Sequence, residues 1–128
     1  MFEIITKEII KEFLDNNSLE LKSTHHRLSL PIINRIYNKM MNGIRFDDIK
    51  ICGNLIIDGH HRYISSLIAE VKIGNSKCLK SSATVEYKWT AVDFTETEWD
   101  TEDKIQYLNE LDAEFNNISM EEIIEITK

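Results

Sequence analysis

The first third of the chain contains two stretches in which apolar residues recur every three or four positions, the spacing of a helix with one buried face. The first stretch carries Ile5, Ile9, Ile10, Phe13 and Leu14. The second carries Ile32, Ile33, Ile36, Tyr37 and Met40. Thr6 suits the N-cap of the first helix and Asn16-Asn17 its end. Pro31 suits the first turn of the second helix, and Gly43 suits its C-terminus.

Alternating and short apolar runs predict strands. Leu19 to Lys22 suggests a short strand, and residues 48–57 predict a hairpin with Gly53-Asn54 as its two-residue turn. Thr84 to Thr90 alternates most regularly, so we expect a strand there that Val92 and Phe94 extend across a bulge. The segment 74–82 is polar and reads as a loop.

The last part of the chain predicts two helices. A helix that opens at Asp100 or Thr101 carries Ile105, Leu108, Leu111 and Phe115 and ends at Asn116-Asn117. Ser119 to Glu122 has the capping-box pattern and opens a short final helix. No repeat, linker or domain boundary is evident. We therefore expect one α+β domain over residues 1–128, a small mixed β-sheet flanked by helices, with a strand at 84–94 and an acidic helical extension at 100–128.

The charge is divided unevenly along the chain. The 128 residues carry a net charge of −7, but residues 93–128 contain 12 acids and two bases, whereas residues 1–92 contain 13 bases and 10 acids. The front of the molecule therefore remains compatible with a phosphate-bearing partner. The acidic extension is either a solvated surface or a surface for a basic protein partner.

Composition also predicts the compartment. No apolar run reaches the roughly 20 residues of a membrane span, and acids interrupt the apolar N-terminal residues, so we expect neither a membrane protein nor a signal peptide. Cys52 and Cys78 lack Cys-x-x-Cys spacing, and we interpret them as reduced thiols of a cytoplasmic protein.

The densest group of ionisable residues is Asp58-Gly59-His60-His61-Arg62, between a buried strand and a helix predicted from about His61 to Glu70. A strand, a glycine turn and a helix place free backbone N–H groups around an anion. Arg62 can add a bidentate fork for phosphate. His60 and His61 can donate, or act as acid and base near neutral pH, and Asp58 can hold a cation or accept a proton.

Other interpretations stay open at this point. Asp58 could cap the helix while the histidines and Arg62 are merely exposed. His25, His26 and Arg27 precede a helix and could form a second wall of the same pocket, or simply an exposed polar loop. One histidine from each pair, together with Asp58, could bind a metal ion, although the spacing matches no zinc motif.

The turn with its preceding hairpin and following helix resembles the signature turn of the ParB/sulfiredoxin superfamily, over roughly residues 20–72. Members of that superfamily include CTP-binding partition proteins, nucleases, sulfiredoxins that use ATP, and free-serine kinases. The resemblance implies a nucleotide phosphate held at Gly59, His61 and Arg62, with ATP or CTP as ligand and Mg²⁺ as cofactor, bound in part by Asp58.

The match to each branch is partial. In sulfiredoxins the turn is Gly-Gly-Cys-His-Arg, so His60 stands where the reactive cysteine is and sulfinic acid reduction by that route is not expected. In partition proteins the turn is Gly-Glu-Arg-Arg, which places His60 at the glutamate and His61 at the first arginine. The Asp-Gly-His-His-Arg form is closer to the kinase-like branch and to nuclease and toxin domains.

Three functions follow as hypotheses. The first is a nucleotide-binding enzyme that transfers or hydrolyses phosphoryl groups, with Asp58, His60 and His61 as catalytic residues. The second is a nuclease or toxin domain that cleaves DNA or RNA with the same residues, although the front half lacks a basic stripe. The third is a non-catalytic module that binds a basic partner through its acidic extension.

Overall fold

The computed structural model describes residues 2–127, and most of its helices begin at a side chain that caps them. The helices are α1 Lys7–Asn16, α2 Leu30–Met41, α3 His60–Ala69, α4 Glu102–Asn116 and α5 Met120–Ile126, with a short 3-10 helix at Trp89–Ala91. The side chains of Thr6, Ser29, Thr101 and Ser119 each accept a hydrogen bond from the N–H three residues on. The predicted caps at Thr6 and Ser119 are therefore confirmed, and of the two candidates at Asp100 and Thr101 it is Thr101 that caps α4.

The strands form two small sheets. They are β1 Arg27–Ser29, β2 Ile49–Cys52, β3 Leu55–Asp58, β4 Asn75–Lys77 and β5 Asp93–Thr95. In the first sheet β2 lies in the centre, antiparallel to β3 and parallel to β4. In the second sheet β1 pairs in parallel with β5. The mixture of helices and short strands confirms the predicted α+β class.

The β2–β3 hairpin delivers the chain to the turn at Asp58. Gly53 has φ +59° at the first turn position, as the glycine-first turn requires. The register shifts between Lys50 and Ile51, so Lys50 lies opposite Asp58 at the end of β3. This irregularity ends the ladder at the residue from which α3 departs.

Three strand predictions are wrong in detail. Thr84 to Thr90 forms no strand: only Tyr87 bridges Ser23, and Trp89 already lies in the 3-10 helix. The segment 19–22 likewise reduces to a single bridge, of Lys22 with Leu55. The segment 74–82, predicted as a loop, contains β4. Alternating apolar residues indicate which side chains face the core, but a strand also needs a neighbouring strand with free backbone N–H and C=O groups. The edge of β2 provides these groups for β4.

The side chains of Tyr87 and Trp89 explain the alternation without a ladder. The Trp89 indole N–H donates to Leu21 O at 2.8 Å, and its ring stacks on Tyr63 with 6.1 Å between centroids. Both residues pack against the main core from a largely irregular segment, whereas Val85 is 52% exposed. Of the two residues predicted to extend this segment, Phe94 lies in β5 and Val92 directly precedes it, and both are buried.

The main core lies between α1, α2, α3 and the strands. Its fully buried members include Ile10, Leu28, Ile33, Tyr37, Ile56 and Ile64. The two serines of α3 are also buried: the Ser65 hydroxyl lies 3.0 Å from Ile33 O, and the Ser66 hydroxyl donates to Tyr63 O at 2.7 Å. These bonds satisfy the polar groups that α3 brings inside.

The two C-terminal helices have a small core of their own. Its buried residues are Ala113 of α4, Ile123 of α5 and Ile44, which follows the end of α2. No helix in the described range is long and apolar enough to cross a membrane. Cys52 and Cys78 are both free, as their spacing predicted.

Candidate functional site

The turn before α3 is built on Gly59. This residue is the N-cap of α3 in the left-handed conformation, with φ +98°. A Cβ at this position would lie 2.6 Å from Ile49 Cγ2 and 2.9 Å from Arg62 Nη2, so only glycine fits between β2 and the arginine. Asp58 does not cap the helix, contrary to one interpretation of the sequence: the N-cap residue is Gly59, and the Asp58 side chain is 71% exposed. No side chain among residues 2–127 caps α3, so its first N–H groups lack the partner that a cap would supply.

His60, the first residue of α3, is buried with only 2% of its surface exposed. Its Nε2 accepts a hydrogen bond from the backbone N–H of Thr24 at 3.0 Å. A ring nitrogen that accepts carries no proton, so the proton of the neutral ring is on Nδ1. Nδ1 is buried and has no partner among residues 2–127. Burial, together with the neighbouring His25 and His61, lowers the pKa of His60 to about 3.

His61 repeats this arrangement on the next face of the helix. Its Nε2 accepts from the backbone N–H of Ser29 at 3.0 Å, and its ring meets Trp99 edge-on with 5.4 Å between centroids. Burial again lowers the pKa, to about 4. Both histidines are therefore neutral near pH 7, and the expectation that they exchange protons near neutral pH does not fit their surroundings.

Arg62 holds a third segment. Its Nη1 donates to the carbonyl oxygens of Asp47 and Asp48, at 3.0 and 3.3 Å. Its Nη2 lies 3.7 Å from Asp58 Oδ2, too far for a hydrogen bond. The guanidinium thus braces the turn with one nitrogen and leaves Nη2 beside Gly59. It is not the free phosphate fork that the sequence suggested.

The first turn of α3 therefore joins three separate segments through consecutive side chains. His60 binds residue 24, His61 binds residue 29 and Arg62 binds residues 47 and 48. The density of ionisable residues in this motif has a structural explanation that the sequence did not reveal. None of these four backbone partners is recognisable in the sequence, because a backbone N–H or carbonyl has no residue signature.

The segment 24–27 lies against α3, where the sequence suggested a second wall. His25 stacks on His60 with 4.0 Å between ring centroids and 15° between planes. Thr24, His25, His26 and Arg27 line a cavity of about 420 Å³ together with Trp99. The ring of His26 lies near that of Tyr87, with 5.8 Å between centroids. Arg27 is exposed, and its Nε lies 3.9 Å from Asp93 Oδ2. The sequence analysis did not identify Trp99 as part of this wall.

The metal interpretation finds no support in the arrangement of ligands. Within residues 2–127 no three His, Cys, Asp or Glu side chains are placed to hold one ion. Asp58 is a single exposed carboxylate beside a guanidinium, and the accepting nitrogens of His60 and His61 are occupied by backbone N–H groups. These residues do not fit a resident Mg²⁺ site.

Comparison of the chain with models of known families, with curated proteins and with solved structures finds no match. The resemblance of residues 20–72 to the ParB/sulfiredoxin superfamily therefore stays a prediction from the sequence.

Proposed function

We propose that this chain binds a nucleotide through its phosphates at the N-terminus of α3, as a domain with a ParB/sulfiredoxin-like core and an acidic helical extension. One observation carries the proposal. Of the five described α-helices, α3 alone begins without a side-chain cap, and the buried Nδ1–H of its first residue has no partner. Nδ1 is the ring nitrogen nearest the backbone, and we assign this donor and the uncapped N–H groups of the same turn to one phosphate.

We assign the rest of the binding site to the cavity lined by residues 24–27 and Trp99, because His25 in its wall stacks on His60 of the turn. His25 and Trp99 offer aromatic surfaces for a base, and Arg27 offers an exposed cation for the phosphates. His60 and His61 act in this proposal as neutral hydrogen-bond donors and as supports of the wall, not as acid and base. Charge on the ligand is met by the helix terminus, Arg27 and Arg62 Nη2.

The reaction that suits such a site is phosphoryl transfer or nucleotide hydrolysis, which depends mainly on position and charge. Asp58 is the exposed carboxylate at the turn, and we assign it the role of accepting the proton of the attacking hydroxyl or water. No step is assigned to Mg²⁺, since the residues around the turn do not form a site for it.

Binding is tested by the melting temperature and by calorimetric titration with ATP and CTP, with adenosine and cytidine as ligands that lack phosphate. A nucleotide at 100 times its dissociation constant adds roughly 2.7 kcal/mol to the free energy of unfolding. We expect the melting temperature to rise with ATP or CTP and to stay unchanged with adenosine or cytidine. Equal effects of both, or no effect of either at millimolar concentration, would overturn it.

Arg27→Glu is the variant that locates the site, because Arg27 is exposed and lines the cavity. Arg45→Glu is its matched control, an exposed arginine outside the cavity. We expect Arg27→Glu to weaken nucleotide binding roughly tenfold or more and Arg45→Glu to leave it within about twofold. An equal loss in both variants would mean that only the total charge matters.

Asp58→Asn tests the chemistry separately from binding. Release of inorganic phosphate and formation of nucleoside diphosphate should be lost while the nucleotide still binds. Plasmid DNA and single-stranded RNA are incubated in parallel. Cleavage of either, without any phosphate release from ATP or CTP, would replace the proposed activity with that of a nuclease.

A further inference from the structure

A second and larger cavity, of about 690 Å³, lies between α2 and α4. We call it the α2–α4 groove. Its apolar surface includes Ile32, Ile36, Phe46, Leu108, Leu111 and Phe115. Leu111 and Phe115 are 42% and 52% exposed at its mouth, although both belong to the apolar stripe of α4 that predicts a buried face. An apolar groove of this size marks a binding surface.

Every basic side chain in the groove is already engaged. Arg35 forms ion pairs with Glu98 and with Asp100, the latter at 3.0 Å. Lys39 is 4% exposed and pairs with Asp112 at 2.6 Å. Arg62 donates through Nη1 to two backbone carbonyls, and its Nη2 belongs to the proposed nucleotide site beside Gly59. An anionic occupant would have to break these interactions.

Two acceptors of the groove, at Asn109 and Glu114, are in contrast available. Asn109 is 7% exposed, and its Oδ1 has no hydrogen-bond partner in the described part of the chain. Glu114 lines the groove and pairs with no base within residues 2–127. The surrounding segment 102–126 contains eight acids and a single base. The groove therefore favours an occupant that brings apolar groups, hydrogen-bond donors and positive charge.

We propose that the α2–α4 groove binds a basic amphipathic helix of a partner protein. Its apolar face would cover Leu111 and Phe115, a donor would meet Asn109 Oδ1, and lysine or arginine side chains would reach Glu114 at the edge. A second copy of this chain is the less suitable occupant, because each copy carries a net charge of −7. The inference extends beyond nucleotide binding and uses different residues from those of the cavity at residues 24–27.

The probe is a fluorescein-labelled helical peptide of about 14 residues, or roughly 21 Å of helix, with leucine on one face and lysine on the other. Two companion peptides separate the contributions. One replaces every lysine with glutamate, and the other keeps the composition but scrambles the order so that no apolar face forms. Fluorescence anisotropy of the full chain with each peptide should show binding of the first peptide alone.

Variants locate the contact. Replacing Leu111 and Phe115 together with serine should weaken binding roughly tenfold or more, whereas Tyr107→Ser, on the same helix, 57% exposed and outside the groove, should change it less than about twofold. Glu114→Lys should also weaken binding, with Glu12→Lys on the exposed surface of α1 as its control. Circular dichroism and melting curves check that each variant is folded.

Several results would overturn the proposal: no binding of the basic peptide, equal binding of the acidic or scrambled peptide, or equal losses in the groove variants and their controls. Because Glu114 is exposed, the Glu114→Lys comparison decides the matter even if the double serine variant does not fold. None of these substitutions touches residues 58–62, so this test and the nucleotide test can fail independently.

Discussion

The imidazole of His60 accepts a hydrogen bond from the backbone N–H of Thr24, and this bond holds residues 24–27 against the first turn of α3. His25 consequently stacks on His60, and the proton of the neutral His60 ring is on Nδ1. The same ring therefore supports the wall of the cavity and offers a hydrogen-bond donor at the N-terminus of α3, so His60 matters for both stability and ligand binding.

The lowered pKa values of His60 and His61 predict loss of stability in mild acid. Protonation is disfavoured in the folded chain, so below about pH 6.5 the unfolded chain binds more protons. The free energy of unfolding should therefore fall as the pH drops from about 6.5 towards 4, by up to roughly 1.4 kcal/mol per pH unit for each histidine. Urea unfolding at several pH values measures this slope.

Substitution separates these two histidines from other acid-labile groups. Glutamine at position 60 or 61 keeps an acceptor but cannot be protonated in this range, so His60→Gln and His61→Gln should each reduce the slope. Gln106→Asn, at an exposed position that carries no titratable group, is the control and should leave the slope unchanged. An undiminished slope in both glutamine variants would contradict the assigned protonation states.

Gly59→Ala should destabilise the chain by roughly 2–5 kcal/mol, because it combines a left-handed conformation with a collision at Ile49. Gly53→Ala is a matched control: Gly53 also has a positive φ, but a Cβ there meets nothing within 4 Å. Its cost should be only about 1–2 kcal/mol. Equal losses measured by denaturant unfolding would show that the close approach at Gly59 does not matter.

Arg62→Lys should loosen the segment before β2. The ammonium of a lysine cannot reproduce the bond geometry of Nη1 with Asp47 O and Asp48 O while also placing a second nitrogen beside Gly59. We expect a loss of about 1–2 kcal/mol in the free energy of unfolding. Hydrogen exchange should increase at residues 45–49 more than in α1, and uniform exchange would argue against a local brace.

Lys39→Ala should cost about 3–5 kcal/mol, because it leaves Asp112 largely buried without its cation. The double replacement of Lys39 with Met and Asp112 with Leu removes both charges and should recover most of that loss. Thermal unfolding of the wild type, Lys39→Met, Asp112→Leu and the double variant gives the coupling energy. A double variant as unstable as the sum of its parts would mean that the two residues do not interact.

The local pattern of the sequence was sufficient for the five described α-helices, for the caps at Thr6 and Ser119, and for the β2–β3 hairpin, and it narrowed the start of α4 to Asp100 or Thr101. Each of these features depends on residues within one or two turns of one another, where periodicity, capping oxygens and a glycine-first turn act directly. The turn at Asp58–Arg62 was located for the same reason.

Tertiary structure decided what these residues contact. Strand pairing is a property of available backbone edges, so β4 formed from a polar segment while the regular alternation around Tyr87 and Trp89 produced packing without a ladder. The role of the histidines depended on two backbone N–H groups more than 30 residues away, at Thr24 and Ser29. Burial against those segments, and not the residue types themselves, lowered their pKa and made them neutral donors.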